Sequence, residues 1–96
     1  MTQKIVINTD FGGFGLSDDA IDLYKILTGT PPATDVYYWE IARDDVTLVQ
    51  IVEQLGERAN TRYSELAIVE IPDDVEWHIH EYDGMEHVAE NHRTWQ

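Results

Sequence analysis

The 96-residue chain contains no cysteine, which excludes disulfides, thiolate zinc sites and thiol nucleophiles. Basic residues are also scarce, with six lysines and arginines against nineteen aspartates and glutamates. No apolar run approaches the roughly 20 residues of a transmembrane helix, and the start MTQKIVIN lacks the basic flank and long apolar core of a signal peptide. We therefore expect a protein that functions in a cytoplasm and does not enter a membrane.

The shortage of basic residues gives a formal net charge of −13 at pH 7. Such a chain is repelled by DNA, RNA and anionic membranes, so we expect no direct binding to any of them. The imbalance is greatest between Arg62 and Arg93, where there is no lysine or arginine. This charge serves either solubility alone or a surface that meets a basic partner. The acids in that stretch are Glu65, Glu70, Asp73, Asp74, Glu76, Glu81, Asp83, Glu86 and Glu90.

The overall composition is that of a folded globular protein, with 43% apolar and 26% charged residues. The sequence has no internal repeat and no linker rich in glycine or serine. Because 96 residues suffice for one domain of ordinary size, we predict a single domain over residues 1–96.

The first third of the chain predicts a strand, a glycine-rich turn and a helix. Residues 4–8 have the continuously apolar centre IVI, as in a strand covered on both faces. After the turn FGGFG, Ser17 predicts the N-cap of a helix that stops at Gly29. The spacing of its apolar residues predicts that this helix buries Ala20, Leu23, Tyr24 and Leu27.

The middle of the chain predicts a second strand and a second helix. Residues 36–41 are rich in β-branched and aromatic side chains, which favours a strand. Asp44 or Asp45 would cap the following helix. Gly56 inside that helix suggests the close approach of another element. The helical spacing predicts burial of Leu48, Ile51, Val52, Leu55 and Ala59.

The last third predicts three strands. Residues 66–71 are apolar on both faces, and residues 75–82 and 85–90 flank Asp83-Gly84, a pair that favours a type I′ hairpin turn. The resulting order β-α-β-α-β-β-β predicts an α/β sandwich. Right-handed βαβ crossovers would give it a mixed, partly parallel sheet with two helices and a C-terminal hairpin.

The glycine-rich turn is a candidate ligand site because free N–H groups at the start of a helix can bind phosphate. The acids Asp10, Asp18 and Asp19 could instead supply oxygen ligands to Mg²⁺ or Ca²⁺. The glycine spacing matches neither the dinucleotide-binding pattern nor the P-loop. The alternative is a tight turn whose phenylalanines pack against the sheet. The candidate ligand residues are Asp10, Gly12, Gly13, Gly15, Ser17 and Asp18.

The hairpin carries a second candidate site. A two-residue turn at Asp83-Gly84 would pair His80 with His87 and place both on one face with His78. Three such histidines could bind zinc or nickel, but a register shift of one residue would separate them. An exposed polar face is the preferred interpretation, so we predict no metal and no other cofactor.

No pair of nucleophile and base stands out in the sequence, which favours a protein without enzymatic activity. Arg43 precedes two aspartates and predicts a local ion pair at the start of the second helix. The aromatic run 37–39 would alternate across a strand, with Tyr38 in a contact patch. Trp95 could dock on the sheet or anchor a partner.

Three stretches of the chain are distinctive, GGFGLS, IPDDVEW and EYDG. With the sequence around them, they resemble a family of small, uncharacterised proteins of tailed bacteriophages over nearly the whole chain. The resemblance implies a viral accessory protein made in the cytoplasm of a bacterial host. It implies no activity and no functional residues.

We therefore predict an accessory protein that binds a basic host protein, such as a nuclease, a polymerase or another defence factor, and inhibits or modulates it. The alternative is a nucleotide or small-molecule binder that uses the Asp10–Ser17 loop, with or without a metal. A structural virion component is a third possibility, and the oligomeric state is left open. The predicted contact residues are Glu65, Glu70, Asp73, Asp74, Glu76, Glu81, Asp83, Glu86, Tyr38 and Trp95.

Overall fold

In a computed structural model of the protein, residues 2–90 are described and form two α-helices and four β-strands. The predicted α/β class is confirmed. Among these residues, no helix combines the length and apolar character needed to cross a bilayer. The elements are β1 (Thr2–Asn8), α1 (Asp18–Thr28), α2 (Val46–Leu55), β2 (Leu66–Pro72), β3 (Trp77–Tyr82) and β4 (Met85–Glu90).

The strands form two small antiparallel sheets. β1 pairs with β2, from Thr2 opposite Pro72 to Asn8 opposite Leu66, and β3 pairs with β4. The prediction of one mixed sheet with parallel crossovers is wrong for residues 2–90. After α2 the chain forms β2, which pairs directly with β1 and runs antiparallel to it. The segment between α1 and α2 contributes no strand to the sheet.

Residues 36–41, predicted as a strand, instead contain a single turn of 3₁₀ helix at Tyr38–Glu40. A backbone hydrogen bond links β1 to the chain just after this turn, where the Val6 N–H donates to the carbonyl of Arg43 at 2.8 Å. Tyr38 packs on Phe14, with ring centroids 5.9 Å apart. The β-branched and aromatic composition therefore reflects side-chain packing rather than sheet formation, as strand propensity often does.

Helix α1 has the predicted ends. The Ser17 side chain accepts a hydrogen bond from the Ala20 N–H at 3.1 Å, and Gly29 closes the helix at a φ of 70°. Ala20 is buried and Leu23 and Tyr24 are half-buried, as predicted, but Leu27 is exposed. The last turn of α1 lies outside the buried core, which leaves Leu27 in solvent.

Helix α2 is capped by Asp45, whose carboxylate accepts from the Leu48 N–H at 3.0 Å. Gly56 ends this helix with φ 57° and ψ −126° and begins a second 3₁₀ turn at Gly56–Ala59. A β-carbon at Gly56 would meet no other segment of residues 2–90 within 4 Å, so the predicted close approach there is wrong. The predicted burial is confirmed for Leu48, Ile51, Val52 and Ala59, and Leu55 is half-buried.

The core surrounds β1. Val6 packs with the buried residues of α1 and α2 on one face. Ile5 and Ile7 are buried on the other face, which they share with Gln3 by strand alternation. The Gln3 side chain accepts a hydrogen bond from the Trp77 indole at 3.1 Å, so the β3–β4 hairpin lies against this second face. The predicted covering of this strand on both faces is therefore confirmed.

The hairpin has the predicted register, with His80 opposite His87 and Tyr82 opposite Met85. Asp83 and Gly84 both have positive φ, 54° and 89°, as a type I′ turn requires. More buried and exposed side chains alternate from Trp77 to His80 in β3 and from Met85 to Val88 in β4.

Replacing Gly56 with alanine distinguishes the predicted role of this residue from the observed one. In a helix interior, alanine would be more stable than glycine by about 1 kcal/mol. At the observed φ and ψ, a β-carbon is strained, and we expect Gly56→Ala to lower the free energy of unfolding by about 1–3 kcal/mol. Urea denaturation measures the change, with the exposed helical position Gln54→Ala as control. A gain in stability would contradict the structure.

Candidate functional site

The fully buried side chain of Asn8 joins the end of β1 to three other segments. Its Nδ2 donates to the carbonyl oxygens of Asp10 at 2.7 Å and Gly84 at 2.8 Å. Its Oδ1 accepts from the N–H groups of Asp10 at 3.1 Å and Glu65 at 2.9 Å. Because both donors and both acceptor positions of the amide are used, Asn8 fixes the glycine-rich loop, the start of β2 and the hairpin turn relative to one another.

An ion pair between Arg43 and Glu86 lies next to Asn8. The guanidinium donates two bonds to the carboxylate, at 2.6 and 2.8 Å, and the Glu86 side chain is only 5% exposed. Glu86 Oε1 also accepts from the Asn8 N–H at 2.9 Å. The Arg43 guanidinium carbon lies 3.5 Å from the centroid of the Phe14 ring, a cation–π contact. This charge-assisted pair therefore ties the hairpin to β1 and to the segment before α2.

The structure corrects two predictions about these charges. Arg43 does not pair locally with Asp44 or Asp45, because Asp45 caps α2 and the guanidinium reaches Glu86, 43 residues further along the chain. Glu86 was predicted on the contact surface, but it is buried and fully engaged. The hairpin register turns it toward β1, so it cannot contribute to an exposed surface.

The glycine-rich loop is held by close backbone contacts. A β-carbon on Gly12 would overlap the Tyr63 backbone, and one on Gly84 would overlap the carbonyl group of Phe11. The Phe11 N–H is already bonded to the Asp10 carboxylate at 2.7 Å. These glycines therefore let three segments meet, which accounts for the loop without a bound phosphate.

The remaining candidate ligand residues have structural contacts or lie in solvent. Gly15 is buried, and a β-carbon there would lie 3.2 Å from the Thr61 methyl group. The Ser17 hydroxyl donates to the Arg58 carbonyl at 2.6 Å. Gly13 has a φ of 93°, and Asp18 is exposed in the first turn of α1. Within residues 2–90, no three histidine, aspartate or glutamate side chains converge on a point that could hold a metal.

The three hairpin histidines share the exposed face that the register predicts. His80 and His87 lie opposite each other with ring centroids 4.8 Å apart, and His78 lies on the same face. Tyr82 and Met85, which pair next to the turn, continue this face toward the end of the hairpin. The solvent face of the hairpin is therefore a mixture of imidazole, aromatic and thioether groups.

Four large apolar side chains are exposed around the junction of the glycine-rich loop, the residue 61–65 turn and the hairpin turn. They are Phe11, Tyr63, Tyr82 and Met85, and we call them the apolar end. Gly12 brings the loop against the Tyr63 backbone, and Gly84 brings the turn between Tyr82 and Met85 against Phe11. These backbone contacts bring the segments that carry the four exposed side chains to one junction.

Seven of the acids predicted on the contact surface are exposed, and Glu86 is not. Lys4 bonds to Glu53 at 3.0 Å and also lies 3.8 Å from Glu70. The hydrogen bond that Lys4 donates to Glu53, aided by the charges of Glu53 and Glu70, raises the pKa of Lys4. Tyr38, in the 3₁₀ turn at Tyr38–Glu40, is half-buried, and Trp95 lies outside the described residues. The exposed predicted acids are Glu65, Glu70, Asp73, Asp74, Glu76, Glu81 and Asp83.

A groove of about 410 Å³ lies between β1 and α2, lined in part by Lys4, Val46, Val49 and Glu53. The ion pair between Lys4 and Glu53 neutralises two of its charges. In α1, burial and the charge of Asp45 raise the pKa of Tyr24. Neither feature brings together groups that could act on a substrate.

Comparisons with models of known protein families, with curated proteins and with solved structures return no match. The candidate site therefore rests on the geometry of this chain alone. Sequence reasoning identified none of the apolar end as contact residues. Exposure of Phe11, Tyr63 and Met85 depends on how distant segments meet, and no local pattern signals it.

Glu86→Gln tests the buried ion pair. The substitution removes the charge that balances a half-buried guanidinium, and we expect the free energy of unfolding to fall by about 3–5 kcal/mol. Chemical denaturation measures the loss. The control is Asp19→Asn, which breaks the exposed 3.3 Å pair with Arg58 and should cost no more than about 1 kcal/mol. Equal losses in the two variants would contradict the role of Glu86.

Gly12→Ala tests the packing of the glycine-rich loop. Its new methyl group would meet backbone atoms of Tyr63, which cannot move aside, so we expect a large fall in Tm. In Gly15→Ala the methyl group would meet only the Thr61 side chain at 3.2 Å, and a small fall is expected. Thermal unfolding followed by circular dichroism compares them. A Gly12→Ala protein as stable as Gly15→Ala would refute the close approach.

Proposed function

We propose that the protein is a non-enzymatic binding protein whose apolar end docks onto a basic partner protein. The observation that carries this proposal is that four large apolar side chains are exposed on segments that meet at one junction, in a chain with net charge −13. Asn8 holds that junction through four side-chain hydrogen bonds, so the surface is ordered before a partner arrives. Preorganisation of this kind lowers the entropic cost of binding.

The apolar side chains and the acidic groups of this surface have different roles in binding. Aromatic side chains bury large areas and supply most of the affinity at protein interfaces. Acidic groups steer a basic partner toward the surface and raise the rate of association. Asp83 in the hairpin turn and Glu65 just before β2 are exposed beside the apolar end in the chain. An interface of ordinary size, about 800 Å² on each partner, would include both kinds of group.

The internal contacts of the buried polar groups support binding rather than catalysis. Among residues 2–90, no buried side-chain nitrogen or oxygen lacks a hydrogen-bond partner. Asn8, Arg43 and Glu86 each hold separate segments of the chain together. Their polar atoms are therefore engaged in stabilising the fold.

The resemblance to proteins of tailed bacteriophages suggests the nature of the partner. A phage protein of this charge would meet basic host proteins that handle nucleic acid, such as nucleases and polymerases. Covering the basic surface of such a protein would block its access to nucleic acid. Inhibition of a host factor is thus the function that we propose.

The apolar end can be tested by capture of partners from a bacterial lysate. Immobilised wild-type protein should retain a basic protein that elutes as salt is raised, because screening weakens the steering charges. The double variant Phe11→Ala/Tyr82→Ala should lose that protein. Ile26→Ala, which removes a side chain 73% exposed on α1, against 75% for Tyr82, should retain it.

Three readouts would count against the proposal. These are that no protein is captured, that the captured protein is acidic, and that it binds the double variant as well as it binds the wild type. The double variant changes only exposed side chains, so its Tm should stay close to that of the wild type. A matched Tm ensures that a loss of capture reports on the surface.

A further inference from the structure

The 3₁₀ turn at Tyr38–Glu40 carries a second group of aromatic side chains, distinct from the apolar end. Tyr38 is half-buried against Phe14, whose ring also covers the Arg43 guanidinium. The turn is therefore anchored to the buried ion pair. Its neighbours Tyr37 and Trp39 are both exposed.

Trp39 is held in place by its two neighbours yet remains open to solvent. Its ring stacks on Tyr37, with centroids 4.7 Å apart and an interplanar angle of 23°. Tyr38 meets it nearly at right angles, at 85° and 5.0 Å. Even with these contacts, Trp39 is 65% exposed. The ring contacts therefore orient the indole while most of its surface stays accessible.

The charge near Trp39 is negative. Glu40 and Asp44 are exposed on either side of Arg43 in the chain, and Asp35 is exposed before the turn. Arg43 cannot offset them, because Glu86 already neutralises its charge. Within residues 35–45, exposed acids thus flank Trp39 in the chain, and the one basic residue, Arg43, is already paired.

We propose that the exposed indole of Trp39 binds an arginine side chain of the basic partner. The proposal rests on the proposed function and adds the chemistry that this surface selects. A guanidinium is planar and weakly hydrated, so it stacks on an aromatic ring while its N–H groups bond to carboxylates. Lysine carries a compact and strongly hydrated charge that gains less from such a ring. A nucleobase could also stack there, but its phosphates would be repelled by the net charge of −13.

The protein itself contains the same combination in its interior. The Arg43 guanidinium lies over the Phe14 ring and donates two bonds to Glu86. At the surface, Trp39 would take the place of the ring and the nearby acids that of the carboxylate. The strength of an exposed contact of this kind corresponds to a two- to fivefold change in Kd, roughly.

The experiment compares two labelled peptides of equal length and charge, hexa-arginine and hexa-lysine, by fluorescence anisotropy at low salt. Wild-type protein should bind the arginine peptide more tightly. Trp39→Leu should reduce that preference by a factor of about two to five and leave the Kd of the lysine peptide unchanged. Trp39→Phe keeps a ring and should retain part of the preference, while Ile26→Ala should retain all of it.

The outcomes separate this proposal from the proposed function. If both peptides bind and the preference for arginine is unchanged in Trp39→Leu, the assignment of Trp39 is overturned and a basic partner remains supported. If wild-type protein prefers neither peptide, the assignment is likewise overturned. If neither peptide binds at all, the basic-partner function falls together with the arginine site. Trp39→Phe provides the comparison should Trp39→Leu fail to fold.

Discussion

The carboxylate of Glu86 lies between the guanidinium of Arg43 and the backbone N–H of Asn8, and it bonds to both. A carboxylate and a guanidinium withdrawn from water are costly to separate, because either one alone would be left without its counter-charge. The pair therefore constrains three parts of the chain together. These are the end of β1, the segment before α2 and the inner face of the hairpin.

The surface features follow from that constraint. Asn8 extends the buried polar contact to the backbone of the glycine-rich loop, the start of β2 and the hairpin turn. Gly12 and Gly84 allow these segments to approach more closely than side chains would permit. The segments that carry Phe11, Tyr63, Tyr82 and Met85 therefore meet, although no two of these three segments are close in sequence. Phe14 also links Arg43 to Tyr38, in the 3₁₀ turn that carries Trp39.

In the proposed function, charge and aromatic groups together would define the kind of partner that the surface suits. The net charge of −13 acts over distances near the Debye length and would attract a basic partner without selecting among basic proteins. Selection requires contacts at short range, which exposed rings in fixed orientations can provide. Both groups of rings are anchored to the same buried polar contact. A partner would thus meet a surface whose shape is set before binding.

The sequence by itself determined the features that depend on neighbouring residues. Ser17 and Asp45 cap the two helices, Gly29 ends the first, and Asp83-Gly84 sets the hairpin register, because capping and turn geometry act over a few residues. The apolar centre of β1 likewise predicted its burial on both faces. Only the tertiary structure decided that residues 36–41 form no strand, that Arg43 pairs with Glu86, and which aromatic side chains stay exposed. Those outcomes depend on contacts between segments tens of residues apart, and the free energy of such contacts exceeds the local preferences that a sequence pattern expresses.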